Sequence, residues 1–295
     1  MKRHLLLTPL SVLLAVLLLV SSAFGNDIPK DNKALYFSLI PKKNIDNQIS
    51  ELQPLITYLE KKLNRHIEII LPQSYQSVVE GILSKTIDFA ILGPASYAKA
   101  RARDNGVEAF ASFARHQGYL TPQGNHYFSV LFTLKDYGYE SIEDLKDCKI
   151  ALTDPASTSG AVIPSIYFAK DIGSSLNNFF GSLTYAGSHD LAISAVRKHY
   201  VDAAFVSTAR VDEAIRKKKI QADQVVVLWQ SQPIHVDPFV FRSGLDVAVK
   251  EQLKKAMLTP APELDGMFEK MNMTGLVGVT DENYRTMHDI IAREK

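Results

Sequence analysis

Short apolar runs alternate with amphipathic stretches along most of the chain. "ALYFSLI" (Ala34–Ile40), closed by Pro41, reads as a buried strand. Asp46 then precedes Ile49, Leu52, Leu55, Ile56, Leu59 and Leu63, whose spacing sets them on one helix face with Asp46 as the cap. "HIEIIL" (His66–Leu71) predicts a strand, "SYQSVVEGILSKT" a helix, and "DFAILG" (Asp88–Gly93) a strand running into Gly93-Pro94. A helix over 95–103 and the strands "VEAFASFA" and "HYFSVLFTL" (His126–Leu134) follow.

A second round begins at Ser141 and Asp144, which open a short helix before the strand "KIAL". The pattern then predicts a helix over 163–170, a strand over 183–185, a helix over 189–198, the strand "VDAAFV", a helix over 209–218 and the strand "QVVVLWQ". "PFVFR" (Pro238–Arg242) and helices over 245–257 and 282–293 complete the chain. Strand and helix alternation of this kind predicts an α/β fold of mainly parallel sheets with helices on their faces. Its length suits two units of ordinary domain size, and no Gly/Ser-rich linker or internal repeat separates them. Ligands in such folds sit beyond the carboxyl ends of strands, so the loops after "FAILG", "KIAL" and "VDAAFV" are expected to face one cleft.

The first residues break this pattern. Lys2 and Arg3 precede an uncharged run, Leu5 to Val20, and then Ser21-Ser22-Ala23-Phe24-Gly25. That is the order of a secretory leader, with Ala23 and Gly25 before a cut near Gly25, and it predicts an exported, periplasmic protein. Losing Lys2 and Arg3 takes the formal net charge from +1 to −1, a near balance that excludes a nucleic-acid surface. Cys148 is the only cysteine, so no internal disulfide forms, and it reads as a packing residue. The eight histidines show no ligand-type pairing, and no metal or cofactor is expected.

The chemistry concentrates in "KIALTDPASTSG". Asp154-Pro155 turns the chain, and Ser157, Thr158 and Ser159 fall at the start of the next helix. There, free backbone N–H groups and the helix dipole favour negative charge, so interleaved hydroxyls make a cradle for a tetrahedral oxyanion without any formal positive charge. Gly160 is expected to let ligand and backbone approach closely. One of these hydroxyls as an ordinary N-cap is the plain alternative, although a cap needs one hydroxyl and not three. A nucleophilic serine is the third reading, without a G-x-S-x-G elbow to support it. Other candidates lie at similar junctions. Tyr75 begins a helix after Pro72, and His189 begins "HDLAISAV", where the helix terminus favours a neutral ring that donates one hydrogen bond. Asp237 sits in a turn before Pro238.

"DPASTSGAVIP" (Asp154–Pro164) closely resembles the D-P-x-S-T-S-G-x-x-x-P signature of the PhnD-like family, the periplasmic phosphate/phosphite/phosphonate-binding proteins of ABC transporters. "PQSYQSVVEGILSKTIDFAILGPASYAKA", "GSHDLAISAVRKHYVDAAFVS" and "SQPIHVDPFVFR" extend the likeness over nearly the whole mature chain. The resemblance implies the type II periplasmic binding protein fold: one lobe from 26–135 and 236–295, a second from 136–235, and two crossover strands joining them over a cleft. It also implies that Ser157, Thr158 and Ser159 hold phosphoryl oxygens, that Tyr75 donates from the facing lobe, and that His189 and Asp237 line the cleft. A carboxylate beside an oxyanion is repulsive unless a proton or an ammonium lies between, so Asp237 favours a monoprotonated or amine-bearing ligand. Ala209 stands where aminoalkylphosphonate-binding members carry a glutamate, and Leu92 where they carry an aromatic residue. Both departures tilt the expectation to phosphite, phosphate or a small alkylphosphonate. The implied role is capture without covalent chemistry by a monomer that delivers its ligand to an inner-membrane permease. The rival is a ligand-sensing partner of a membrane receptor using the same cleft.

Overall fold

The computed structural model describes residues 33–293, and the leader expected over 1–25 lies outside them. In the first half of the chain, strand β1 (Leu35–Leu39) leads to helix α1 (Ile45–Leu63), β2 (Ile67–Ile69), α2 (Tyr75–Leu83), β3 (Phe89–Ile91), α3 (Pro94–Arg103) and β4 (Glu108–Arg115). The chain crosses over at β5 (His126–Tyr127) into β6 (Ser129–Leu134), then β7 (Lys149–Leu152) and helix α4 (158–171). Next come α5 (Leu176–Phe179), β8 (Ser182–Tyr185), α6 (His189–Arg197), β9 (Ala203–Ser207), α7 (Thr208–Arg216) and β10 (Val225–Gln230). It returns through β11 (Ile234–His235) to β12 (Pro238–Phe241), α8 (Val247–Leu258), α9 (Asp265–Met271), β13 (Met273–Gly278) and α10 (Arg285–Arg293).

The strands pair as two main sheets, ordered β13-β4-β12-β3-β1-β2 and β10-β6-β9-β7-β8, with β5 and β11 as a separate antiparallel ladder at the crossings. Both sheets share one plan. Three strands run parallel (β2, β1, β3 in one; β8, β7, β9 in the other), and beside them lies an antiparallel strand that has just arrived from the opposite half. In the first sheet that strand is β12, and in the second it is β6. Sequence reading expected mainly parallel sheets and set 129–134 with the first lobe. The sheets are mixed, and β6 is hydrogen-bonded to β9 and β10 in the second.

Period-two burial explains why these runs form strands. In β12, Phe239 and Phe241 face the same core as Phe37, Phe89 and Phe110, with the rings of Phe110 and Phe241 stacked at 3.8 Å, while Val240 joins Ala90 and Ala109 on the other face. In the second sheet Leu131, Ile150 and Phe205 oppose Val130, Ala151 and Ala204 in the same way. Strands buried on both faces read as continuous apolar runs, and each large side chain so buried stabilises the fold by about 1.5–3 kcal/mol.

Some local expectations fail for identifiable reasons. Helix α1 is capped by Asn44, whose side chain accepts from the Asn47 N–H; Asp46 lies inside the first turn, where its charge still suits the dipole. "HYFSVLFTL" is broken at Phe128 into β5 and β6 because the chain changes sheets there. The helix expected over 163–170 begins at Thr158. Helix α9 and edge strand β13 were not foreseen; β13 contains two glycines and a bulge between Met273 and Gly275, which erase the alternation that marks a strand. Cys148 is a half-buried free thiol, its Sγ 3.5 Å from the Tyr139 hydroxyl.

Candidate functional site

Helices α2, α3, α4, α6 and α7 each follow a strand, and residues at or beside their first turns line one cavity of about 330 Å³. Tyr75, Gly93, Ser157, Thr158, Ser159, His189, Ser207 and Arg210 all contribute to its wall. A helix leaves its first N–H groups without intrahelical acceptors, so this cavity is surrounded by donors and by the positive ends of helix dipoles.

Helix α4 opens with wide, π-type turns: Val162 N–H bonds the carbonyl of Ser157, five residues back, at 3.0 Å. Ser157 is the cap, its Oγ accepting from the Gly160 N–H at 3.2 Å. Thr158 reaches across to the other half, where its Oγ1 accepts the Ala95 N–H at 2.9 Å. It therefore serves as a cap for α3, whose own cap position, Gly93, has no side chain. Its hydroxyl proton stays free to donate. Ser159 completes the row, all three residues are buried, and the Tyr127 hydroxyl lies against Thr158 and Ser159. Gly160 has a different task from the one expected. A Cβ there would meet Thr153 Oγ1 at 1.9 Å, so the glycine is required by packing against the end of β7, not by a ligand.

The remaining expected residues are brought to the same cavity. Tyr75 is buried, its backbone N–H sits 3.4 Å from Asp154 Oδ2, and its hydroxyl has no hydrogen-bond partner among the described residues. Burial, then the charges of Asp237 and Asp154, push its pKa far up, so it stays a donor. His189 is the first residue of α6, and its Nδ1 accepts the Ser207 N–H at 3.3 Å, which leaves Nε2 as the protonated nitrogen of a neutral ring. Burial, then Arg210 and Lys42, hold its pKa down at about 3. The neutral donor foreseen from the helix terminus is present, but desolvation and two cations enforce it. Asp237 is buried, and the Lys42 ammonium bonds its Oδ2 at 2.6 Å.

That ammonium belongs to a charged set which sequence reading missed. Lys42, Lys43, Arg115 and Arg210 all line the cavity, so the picture of an uncharged cradle is corrected. Arg210 forks onto Asp190 at 2.6 Å and onto Glu213; burial works against its charge, but Glu213 and Asp190 more than offset that and its pKa rises. Lys43 pairs with Glu51 and, at 3.1 Å, with Glu213, and Lys217 joins both carboxylates at 3.2 and 2.7 Å. Glu51 comes from α1 and Glu213 from α7, so the network ties the two halves together at the cavity rim. Elsewhere Ser96 Oγ donates to the Ala156 carbonyl at 2.9 Å, a further tie between halves. Among the described residues no group of three or more His, Cys, Asp or Glu side chains is placed to hold a metal, and no helix is long and apolar enough to cross a membrane.

Known proteins share this arrangement. Residues 37–284 match the family described as "ABC transporter, phosphonate, periplasmic substrate-binding protein". The "Phosphate-import protein PhnD" of Mycolicibacterium smegmatis is 26% identical, over 95% of this chain and 94% of that protein. A crystal structure of a binding protein component of an ABC phosphonate transporter from Pseudomonas aeruginosa superposes with a TM-score of 0.80 at 21% identity, covering 90% of this chain and 87% of that one. PhnD1 from Prochlorococcus marinus, in complex with methylphosphonate, gives a TM-score of 0.76 at 19% identity over 90% of this chain and 99% of that one. The fold is thus the type II periplasmic binding protein fold.

Proposed function

This chain belongs to the family of periplasmic substrate-binding proteins of phosphonate ABC transporters, and on that premise we propose that its cavity captures a phosphorus oxyanion for an inner-membrane permease. One observation carries the reading. The Tyr75 hydroxyl, sealed from solvent without a partner among the described residues, lines the same cavity as the hydroxyl row at the tip of α4. A buried hydroxyl left unpaired costs about 1–3 kcal/mol, and an oxyanion accepting from both walls removes that cost.

Tyr75 donates from one half; Thr158, Ser159 and the His189 Nε2–H donate from the other. Lys42 neutralises Asp237, so the ammonium required between carboxylate and oxyanion comes from the protein itself, and the ligand needs neither a proton nor an amine for that purpose. The halves act as lobes that hinge where the chain crosses, at β5 and β11, and ligand contacts to both lobes favour the closed form. The mycobacterial relative's name as a phosphate importer and the methylphosphonate held by the Prochlorococcus protein support the ligand class.

The test is calorimetric titration with phosphite, phosphate, methylphosphonate, 2-aminoethylphosphonate and sulfate. At least one phosphorus oxyanion should bind more tightly than sulfate, and Tyr75→Phe should weaken it. Heat-silent titrations with every phosphorus compound, from protein that is folded, would end the proposal.

A further inference from the structure

The cavity is larger, and more positively charged, than a bare oxyanion needs. A tetrahedral oxyanion displaces on the order of three waters, about 90 Å³ at ~30 Å³ each, whereas the cavity measures about 330 Å³. Most of it is therefore room for a substituent.

Of the cations lining that room that are not exposed, one lacks an ion pair among the described residues. Lys42 is held by Asp237, Lys43 by Glu51 and Glu213, and Arg210 by Asp190 and Glu213. The Asp212 carboxylate accepts the N–H groups of Leu120 and Thr121 at 2.8 and 2.9 Å. Arg216 lies exposed at the mouth, donating to the Lys270 carbonyl. Arg115 has no ion pair and no side-chain hydrogen bond among the described residues, and its Nε is sealed from solvent. Its backbone is fixed where β4 meets β13, opposite Met273, with its N–H bonded to the Gly124 carbonyl. Tyr127, whose hydroxyl lies against Thr158 and Ser159, is close enough to feel the Arg115 charge. A ligand anchored at the tip of α4 thus has this guanidinium on the wall of the same cavity.

Resting on the phosphorus-oxyanion reading, we infer that the physiological ligand is an organophosphorus compound bearing a second anionic group, such as a carboxylate or a further phosphate, and that Arg115 is the residue that selects it. An arginine does not shed its proton, and the half-buried Arg115 guanidinium, which feels the Asp237 and Asp212 carboxylates only at a distance, has no carboxylate of its own to bond. A planar carboxylate or phosphate meets its donor fork with two parallel hydrogen bonds. A cationic substituent in the same place is repelled.

The experiment titrates methylphosphonate, phosphonoacetate, its uncharged isostere phosphonoacetamide, and 2-aminoethylphosphonate into the full mature protein and into Arg115→Met and Arg115→Lys variants. Phosphonoacetate should bind about tenfold more tightly than methylphosphonate or phosphonoacetamide, one charge-assisted contact's worth, with 2-aminoethylphosphonate the weakest. In Arg115→Met the preference for phosphonoacetate over phosphonoacetamide should collapse towards unity, and Arg115→Lys should restore part of it. Equal binding of the acid and the amide by the unaltered protein overturns the inference, as does a ratio that survives Arg115→Met. If that variant does not fold, the acid-to-amide ratio in the unaltered protein decides alone. Methylphosphonate binding without a preference for the acid sinks only this inference, whereas no binding by any compound sinks the oxyanion reading with it.

Discussion

Single side chains in the cavity carry measurable consequences. Tyr75 has no partner for its hydroxyl among the described residues, so Tyr75→Phe should leave folding stability unchanged or slightly raised while weakening oxyanion binding by about 1–2 kcal/mol. Denaturant midpoints and calorimetry on the same preparation separate the two effects. His189 offers a pH signature. Its pKa is about 3 in the folded protein and about 6.5 when unfolded. Between those values the unfolded chain binds the extra proton, so stability falls as pH drops below about 6.5, by at most about 1.4 kcal/mol per pH unit from this group. Carboxylates such as Glu213, whose pKa the charges of Arg210 and Lys43 hold down despite burial, add their own loss only at more acidic pH. The ring of His235, lowered by burial, adds to the histidine window, so the readout is a difference. His189→Asn should flatten the stability slope between pH 6.5 and 5 relative to the parent, by urea denaturation at each pH.

The six residues singled out in the sequence, Ser157, Thr158, Ser159, Tyr75, His189 and Asp237, all line one cavity; the first five stand at strand-to-helix junctions, a position that periodicity reveals, and Asp237 stands in the turn between β11 and β12. Lys42, Arg115, Tyr127 and Arg210 were not legible. Arg115 and Tyr127 each end an ordinary strand, and nothing local distinguishes them from rim residues. Arg210 adjoins Ala209, a position that drew attention for what it lacks, and the "VDAAFVS" strand end just before it was the available signal.

Among the elements, α4 shows how a helix start is shaped by its neighbours. Its π-type turns shift the hydroxyl row relative to an α-helical start, and the missing Cβ at Gly160 lets that first turn sit on Thr153. Gly160→Ala should destabilise the fold by about 1–3 kcal/mol through overpacking. Thr153→Gly in the same chain should recover part of that loss in a double-mutant cycle, because it removes the three atoms the new Cβ meets. Additive losses would place the strain elsewhere. Strand existence was readable from apolar runs because most of these strands are buried on both faces. Strand direction was not, since the side-chain pattern of a buried strand is the same either way, and so the antiparallel entries of β6 and β12 were hidden.

Across the molecule, Lys43, Glu51, Glu213 and Lys217 join the halves by charge alone, with the Lys43 side chain 6% exposed and both glutamates 15% exposed. Lys43→Met removes the most buried cation of the set, leaves the half-exposed Lys217 alone to bridge Glu51 and Glu213, and should weaken ligand binding by about 2 kcal/mol, with a larger radius of gyration in small-angle scattering under ligand-free conditions. Raising ionic strength should do little to the parent, because largely buried pairs are poorly screened. An unchanged radius in the variant would show that this network does not hold the halves closed.

The exchange of strands has a consequence for inheritance and engineering. Without β12, strands β3 and β4 have nothing between them, and without β6 the same gap opens between β9 and β10. The first portion cannot be donated as one uninterrupted cassette, since β12 is encoded only after the whole of the second, whereas 129–235 carries β6 to β10 together. Expression of 26–128 alone should yield an unfolded chain, because the middle strand of its sheet is missing; a folded product by circular dichroism would show that β3 and β4 do not need β12 between them.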